Sequence, residues 1–586
     1  MNFLKRMLPY WWQILLLFAG LIMQVWASLQ LPDNMATIIN DGIVGGNMDT
    51  IWSQGLIMLG VTLVGGVGMV VAGFFASRVS VGFATVLREE IFRKVLSFSI
   101  TEISNFSTAS LITRTTNDVN QLSQMMVMVL RMSCQAPIMA IGAVAKAVST
   151  APGMSWIIAL AVGVLLAVMV VIMVFTLPKF RLQQKLTDKL NLVTRENLTG
   201  LRVVRAFNNE PEEEAKFETA NHDLMKVNLF VNRIMVMMMP VVQLVLSFTM
   251  LLIIWVGANF IDQNLVNIGD MLAFMQYAMQ VMMGFMFLTM AFVIVPRAMV
   301  SWKRIQEVLL TKNSIKPADK PQKASKKQRG IVEFDDVSFT YEGADEPVLS
   351  NISFATKPGQ TTAFIGSTGS GKSTLINLIP RFYDVSNGKV LVDGVDVRNY
   401  ASKDLMKKIG YVPQKGVLFS GTVESNIAYG VNKMDKKQAI RAAKTAQAYN
   451  FINKLDGKFK AEISQGGSNV SGGQKQRLSI ARAVAKDPEI YIFDDSFSAL
   501  DFKTDAALRQ ALAHETKDAS VLIVAQRIGT IKAADQIIVL DKGQMVGKGT
   551  HYDLLNSCPV YREIAESQLS EAELKTELDA AKGGRK

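Results

Sequence analysis

The sequence predicts two structural classes in one chain: an α-helical membrane domain of six transmembrane helices with long cytoplasmic extensions, then an α/β P-loop domain. Three observations carry this. Apolar runs of about 20 residues, the length a helix needs to cross a bilayer core, recur through the first half and stop there. The stretch "GSTGSGKST", residues 366–374, has the spacing of a phosphate-binding loop and lies between an apolar strand pattern and a helix. Hydrophobic residues make up 49% of the chain while 19% is charged, so the charges must be segregated from the apolar runs.

Spans are expected at about 10–31, 51–77, 125–149, 154–177, 234–259 and 270–296, within a membrane domain covering 1–310. The loops "PDNMATIINDGIVGGNMDT", "STAPG" and "FIDQNLVNIGD" contain no Lys or Arg, whereas segments 78–124 and 178–233 contain five and ten. That bias predicts a multi-pass protein of the cytoplasmic (inner) membrane with both termini in the cytoplasm. The first apolar run imitates a signal peptide but is too long for one, so it reads as an uncleaved span. Both basic segments are nearly free of Pro and Gly and keep a helical rhythm, as in "LREEIFRKVLSFSI". They are expected to prolong the membrane helices into the cytosol rather than lie on the lipid surface.

A linker rich in Lys, Pro and Ser covers 311–330, alternating strands and helices cover 331–565, and 566–586 is a charged tail read as a frayed helix. The net charge of +12 follows the loops beside the membrane, so no nucleic-acid partner is expected. Cys134 lies in a span and Cys558 near the C-terminus, so no disulfide framework is expected.

The loop Gly366, Ser367, Thr368, Gly369, Ser370, Gly371 can turn its backbone N–H groups onto phosphate oxygens at a helix N-terminus. Lys372 adds charge at the terminal phosphates, Ser373 a hydroxyl for Mg²⁺, and Thr374 continues the helix. Downstream, "IYIFDD" brings an apolar strand to Asp494, a candidate magnesium anchor through water as well as a cap for the turn that follows. ATP and Mg²⁺ are the expected ligands.

A second anion-binding helix start follows in "VSGGQKQRLSIARA", with Val470, Ser471, Gly472, Gly473 and Gln474. Here the chain resembles the ATP-binding cassette (ABC) family, and six spans followed by one cassette resembles an ABC exporter half-transporter along essentially its whole length. The resemblance implies roles residue by residue. Tyr341 would stack on adenine, Gln414 would touch the metal and act in catalysis, and Asp501 would lie in the loop crossing to a partner cassette. Stretches near Asn105–Thr115 and Arg205–Pro211 would dock onto cassettes. The Ser-Gly-Gly turn would act in trans, on ATP held by the partner's P-loop.

Two positions depart from the family pattern. The usual catalytic glutamate is Asp495, whose carboxylate is drawn back by roughly 1 Å, a displacement that can cost about a hundredfold in rate. The usual histidine before Arg527 is Gln526, which donates a hydrogen bond but carries no proton charge. Together they resemble the degenerate-site subunit of heterodimeric bacterial multidrug ABC exporters. The expected partner is a second half-transporter with intact Glu and His, and the expected activity is ATP-driven export of hydrophobic small molecules by alternating access. A homodimeric lipid or peptide exporter and a nucleotide-gated channel or regulatory subunit are the alternatives. The Met-rich spans fit either an adaptable substrate cavity or ordinary helix and lipid packing. Gln243, Gln276 and Gln280 are candidate cavity residues, Arg131 and Lys146 are expected to face the protein interior or an interface, and Asp41 is a candidate for an outer gate.

Overall fold

The computed structural model describes residues 3–324 and 328–583, with every side chain except those of residues 3, 4, 181, 288–293, 297 and 579–583. Ser325, Lys326 and Lys327 of the expected linker and residues 584–586 of the expected tail lie outside it. The chain divides into two compact units, one of residues 1–96 and 108–311, the other of 97–107 and 312–586.

The first unit is helical. Helix α1 (Trp11–Thr37) runs into a π-helical turn, Ile38–Val44, and α2 (Met48–Leu96) follows. Then come α3 (Asn117–Met128), α4 (Cys134–Thr150), α5 (Ser155–Ala206), α6 (Glu210–Asp262) and α7 (Ile268–Leu310). At 49, 52 and 53 residues, α2, α5 and α6 reach about 75 Å, well beyond any bilayer. The basic segments are therefore continuations of membrane helices, and α5 and α6 are parted only by a turn at Phe207–Asn209. One expectation is corrected. The expected loop 32–50 is helical as far as Val44, since Pro32 sits inside α1. Five helical stretches among the described residues are long and apolar enough to cross a membrane: Lys5–Val44, Met48–Leu96, Thr108–Thr150, Pro152–Ala206 and Glu210–Asp262. The sixth expected span falls in α7, where several side chains are not described.

Small residues set how closely these helices approach. A Cβ on Gly20 would lie 2.8 Å from the Gly68 carbonyl oxygen, and one on Gly68 would lie 2.8 Å from that of Gly20. Backbone-to-backbone contact of this kind is how helices associate where no hydrophobic force separates protein from solvent. Ala143 and Ala147 of α4 and Ala273 and Ala278 of α7 are buried in one cluster with Phe274 and Tyr277.

Several polar groups in this unit pair across helices. Lys146 of α4 bridges to Asp33 of α1, and Tyr277 of α7 donates to the same carboxylate. Nearby, Asn40 donates to Asp270 at 3.2 Å and accepts from the Gly269 N–H at 2.8 Å. Gln280 donates to the Ser28 carbonyl at 3.0 Å, so it ties α7 to α1. Arg131 sits in a π-helical turn, Val129–Ser133, and shares an open groove of 870 Å³ with Arg78 and Phe74. Gln243, Gln276 and Asp41 are exposed.

The second unit is α/β. A four-stranded antiparallel sheet runs β2 (Leu349–Ala355), β1 (Val332–Phe339), β4 (Asn387–Val392), β5 (Val395–Asp396). A two-stranded ribbon pairs β7 (Gly421–Thr422) with β8 (Glu462–Ile463). The main sheet runs β12 (Gln544–Gly549), β11 (Gln536–Asp541), β3 (Thr361–Gly366), β10 (Ser520–Val524), β9 (Ile490–Asp494), β6 (Ile409–Val412), and only β12 is antiparallel. Its central strands are apolar on both faces. Ala363, Ile365, Tyr491, Phe493, Val521 and Ile523 enter one core, while Phe364, Ile490, Ile492, Leu522 and Val524 enter the other. That is the pattern of a parallel sheet covered on both sides.

The C-terminal residues are not the frayed tail expected. Helices Pro559–Gln568 and Glu571–Gly583 lie on the cassette, with Tyr561 and Ala565 fully buried and Leu574 and Leu578 against the core. The segment Ser97–Ser107 is held to residues just after the helical domain: Asn313 donates to the Ser97 carbonyl at 2.6 Å and Glu102 accepts from the Ser314 N–H at 2.8 Å.

Candidate nucleotide site

Strands β3, β10, β9 and β6 are neighbours and parallel, so their C-terminal ends open along one edge. Open α/β sheets bind ligands in that crevice. Strand β3 delivers the loop 366–371, β10 leads to Gln526, β9 ends in Asp494 with Asp495 next, and β6 leads to Gln414. Positions spread over 160 residues of sequence meet because the strand order places them side by side.

The loop's glycines answer to space and backbone conformation. A Cβ on Gly366 would lie 2.0 Å from the Leu540 carbonyl oxygen. Gly371 has φ +94° as the N-cap of α8 (Lys372–Leu378), and a Cβ there would meet Leu349 Cδ2 at 2.7 Å. Gly369 faces open space, which leaves the crown of the loop accessible. Lys372 folds into the loop, its Nζ donating to the carbonyls of Gly366 at 2.9 Å and Ser367 at 2.6 Å and reaching Ser370 Oγ at 3.3 Å. Burial lowers the Lys372 pKa, against the pull of Asp495 and Asp494. An anionic phosphate would give this cation a stronger partner than neutral carbonyls.

Ser373 Oγ donates to Asp494 Oδ1 at 2.9 Å. Burial raises the Asp494 pKa, opposed by that hydrogen bond. A hydroxyl and a carboxylate at the mouth of a phosphate loop suit Mg²⁺, which keeps several waters and takes few protein ligands. No group of three or more His, Cys, Asp or Glu residues placed to hold a metal occurs among the described residues, so phosphate oxygens and water would have to complete the shell.

Asp495 is the focus of the site. Its Oδ2 accepts from Gln526 Nε2 at 3.0 Å and from Gln414 Nε2 at 3.3 Å. Both departures from the family pattern are therefore in contact, and the glutamine expected at the metal joins them. Asp495 has a left-handed backbone, φ +44°, with its N–H on the Val524 carbonyl at 3.0 Å. Aspartate tolerates that conformation better than most residues. Burial pushes its carboxyl above the usual range, against the Gln414 amide and the charges of Lys372 and Arg527.

Tyr341 is half-buried, with rings of Phe339 and Tyr383 in T-shaped contact and its hydroxyl 2.9 Å from Thr374 Oγ1. The aromatic group is thus tethered to the phosphate helix. Helix α9 (Gly472–Ala485) starts at Ser471, which forms a capping box with Gln474: Ser471 N–H donates to Gln474 Oε1 at 2.9 Å, and Gln474 N–H to Ser471 Oγ at 3.3 Å. Gly472 has nothing within 4 Å of a built Cβ, and Val470 is buried. Asp501 is exposed and caps α10 (Phe502–Glu515) through the Thr504 N–H at 3.1 Å. Sequence reasoning missed the Tyr341–Thr374 contact and the convergence on one carboxylate oxygen, since neither spacing nor residue type encodes them.

A phosphate loop, a buried carboxylate beside its serine and a long-helix membrane domain define a membrane-embedded P-loop ATPase. The descriptions that match are an ABC transporter transmembrane region over residues 14–285 and an ABC transporter over 349–498. The chain belongs to the ABC transporter family and is an ATP-hydrolysing, multi-pass membrane transporter. It is 41% identical to an uncharacterised ABC transporter ATP-binding protein of Mycobacterium tuberculosis (strain ATCC 25618 / H37Rv), over 96% of each chain. It is 36% identical to another of Bacillus subtilis (strain 168), over 92% of this chain and 94% of that one. An ATP-dependent lipid A-core flippase of Hahella chejuensis is 30% identical over 88% of each. A solved bacterial Atm1-family ABC exporter with ATP bound shares the fold, with a TM-score of 0.78 at 23% identity over 97% of this chain and 99% of that one.

Proposed function

We propose that this chain is one half of an ABC exporter in which two cassettes clasp two ATP molecules, and that its own P-loop site holds MgATP and turns it over slowly. One observation carries the slow-site reading: Asp495 offers a short carboxylate whose Oδ2 is occupied by the amides of Gln414 and Gln526. A hydrolytic base needs a free lone pair within about 3 Å of the attacking water. Here one oxygen is already engaged, and the group that should read the γ-phosphate cannot carry a positive charge. In this reading Tyr341 stacks on adenine, residues 366–374 hold the phosphates, and Ser373, Gln414 and Asp494 hold Mg²⁺. Val470–Gln474 serve the partner's ATP, with Asp501 at the seam. The partner supplies Glu and His at its own site, giving one slow and one fast site.

The membrane domain has six spans, with α7 providing the last, in the cytoplasmic membrane with both termini in the cytoplasm. The turns near Asn105–Thr115 and Arg205–Pro211 carry cassette closure to the spans, and hydrophobic small molecules, including drugs, leave by alternating access. A lipid-like cargo is the second reading, favoured by the relatives named as lipid A-core flippases. The test is to purify the chain alone and with candidate partner half-transporters and to measure phosphate release. Slow turnover alone and fast turnover in the mixture supports the proposal. Fast turnover alone, abolished by Lys372→Ala, overturns it.

A further inference from the structure

The loop that presents Gln526 is held from outside the nucleotide site. Gln568 is the last residue of the helix Pro559–Gln568, α11. Its Nε2 donates to the Gln526 carbonyl at 2.7 Å and its Oε1 accepts from the Ile528 N–H at 2.8 Å. Carbonyl i and N–H i+2 are the two groups that extended backbone offers to one side, so the planar amide of Gln568 takes the part of a missing neighbouring strand. The helix is fixed in place: Tyr561 and Ala565 are fully buried and the Leu569 N–H closes on the Ala565 carbonyl at 2.9 Å. In the same segment, Arg509 Nη1 donates to the Gly529 carbonyl at 3.0 Å.

We propose that Gln568 is a positioning residue for ATP hydrolysis, which sets the backbone at Gln526 so that its amide reaches Asp495 Oδ2. This rests on reading Gln526 as the residue at the γ-phosphate. The chemistry of the clamp requires a donor and an acceptor in one side chain. Glutamate keeps the acceptor, loses the donor and faces the Gln526 carbonyl with a negative oxygen. Asparagine is one methylene too short to hold both groups.

The test uses the full-length chain reconstituted in nanodiscs, with ATP binding and single-turnover hydrolysis of bound ATP measured separately. Gln568→Ala and Gln568→Glu are expected to change the hydrolysis rate roughly fivefold, the effect of about one hydrogen bond, with ATP affinity and the unfolding temperature unchanged. In a Gln526→Ala background Gln568→Ala is expected to change nothing further. An unaltered rate in Gln568→Ala, where Gln526→Ala has an effect, refutes the brace alone. So does an equal fold-change in both backgrounds, or a loss that follows a lowered unfolding temperature. An unaltered rate in Gln526→Ala refutes the reading of the site and the brace with it.

Discussion

At the scale of single residues, the decisive feature is one carboxylate oxygen with two amide donors. Asp495→Glu moves the carboxylate forward by about one methylene, and with Gln526→His it is expected to raise this site's turnover about ten- to hundredfold, read as phosphate release. Unchanged turnover in that double variant ends the slow-site reading. Gly371→Ala places a side chain in left-handed backbone and against Leu349, so it is expected to abolish ATP binding at a strain of about 1–3 kcal/mol. Equilibrium binding of a fluorescent ATP analogue reports it. A third residue governs pH. His551 is fully buried with Nδ1 2.7 Å from the Tyr561 hydroxyl, and burial lowers its pKa. The facing groups are Glu577, which ion-pairs with Lys532 and opposes the shift, and Lys532, which adds to it. A base whose folded pKa is depressed contributes stability present above its unfolded value, 6.5, and lost as pH falls below it. Unfolding temperatures of the full-length chain are expected to drop between pH 7 and 5, and less so in His551→Gln.

Elements bring a different physics, because the membrane helices have no water to escape from. The crossing of α1 and α2 at Gly20 and Gly68 leaves no space for a side chain. Gly68→Val is expected to cost about 1–3 kcal/mol by overpacking, seen as a lowered unfolding temperature in detergent. Where α1 and α4 end and α7 begins, Asp33 holds Lys146 and Tyr277. Lys146→Met is expected to destabilise more than the pair Lys146→Met with Asp33→Asn, because the single change strands a carboxylate without its cation. Equal losses in the two variants would show that the ion pair does not act as a unit.

At the scale of the whole molecule, the two classes of structure were legible for different reasons. Bilayer thickness writes itself into the length of apolar runs, and the phosphate loop needs its glycines at set positions, so both survive in one dimension. The helical continuations of α2, α5 and α6 were also legible, since the scarcity of Pro and Gly leaves a helix nothing to stop it. The loop expected at 32–50 was misplaced because Pro32 reads as a stop. Its missing N–H is tolerated inside a membrane helix, where neighbouring groups satisfy the backbone that it frees. The charged tail misled in the same way, since Leu574 and Leu578 are few among Glu and Lys yet find an apolar surface that only the folded cassette provides.

From sequence alone came the helical membrane domain with its cassette, the phosphate loop and the two unusual side chains at 495 and 526, because each is a matter of residue type, spacing or run length. Tertiary structure alone decided that Gln414 and Gln526 meet on one oxygen of Asp495, that Lys372 closes its own loop, and that Gln568 reaches the Gln526 loop. The reason is geometric: the contacts of Gln526, Gln568 and Gln414 join residues 31, 42 and 81 positions apart and depend on how strands and helices are ordered in the fold, which leaves no local trace in the chain, and the Lys372 contacts depend on the path of a folded loop.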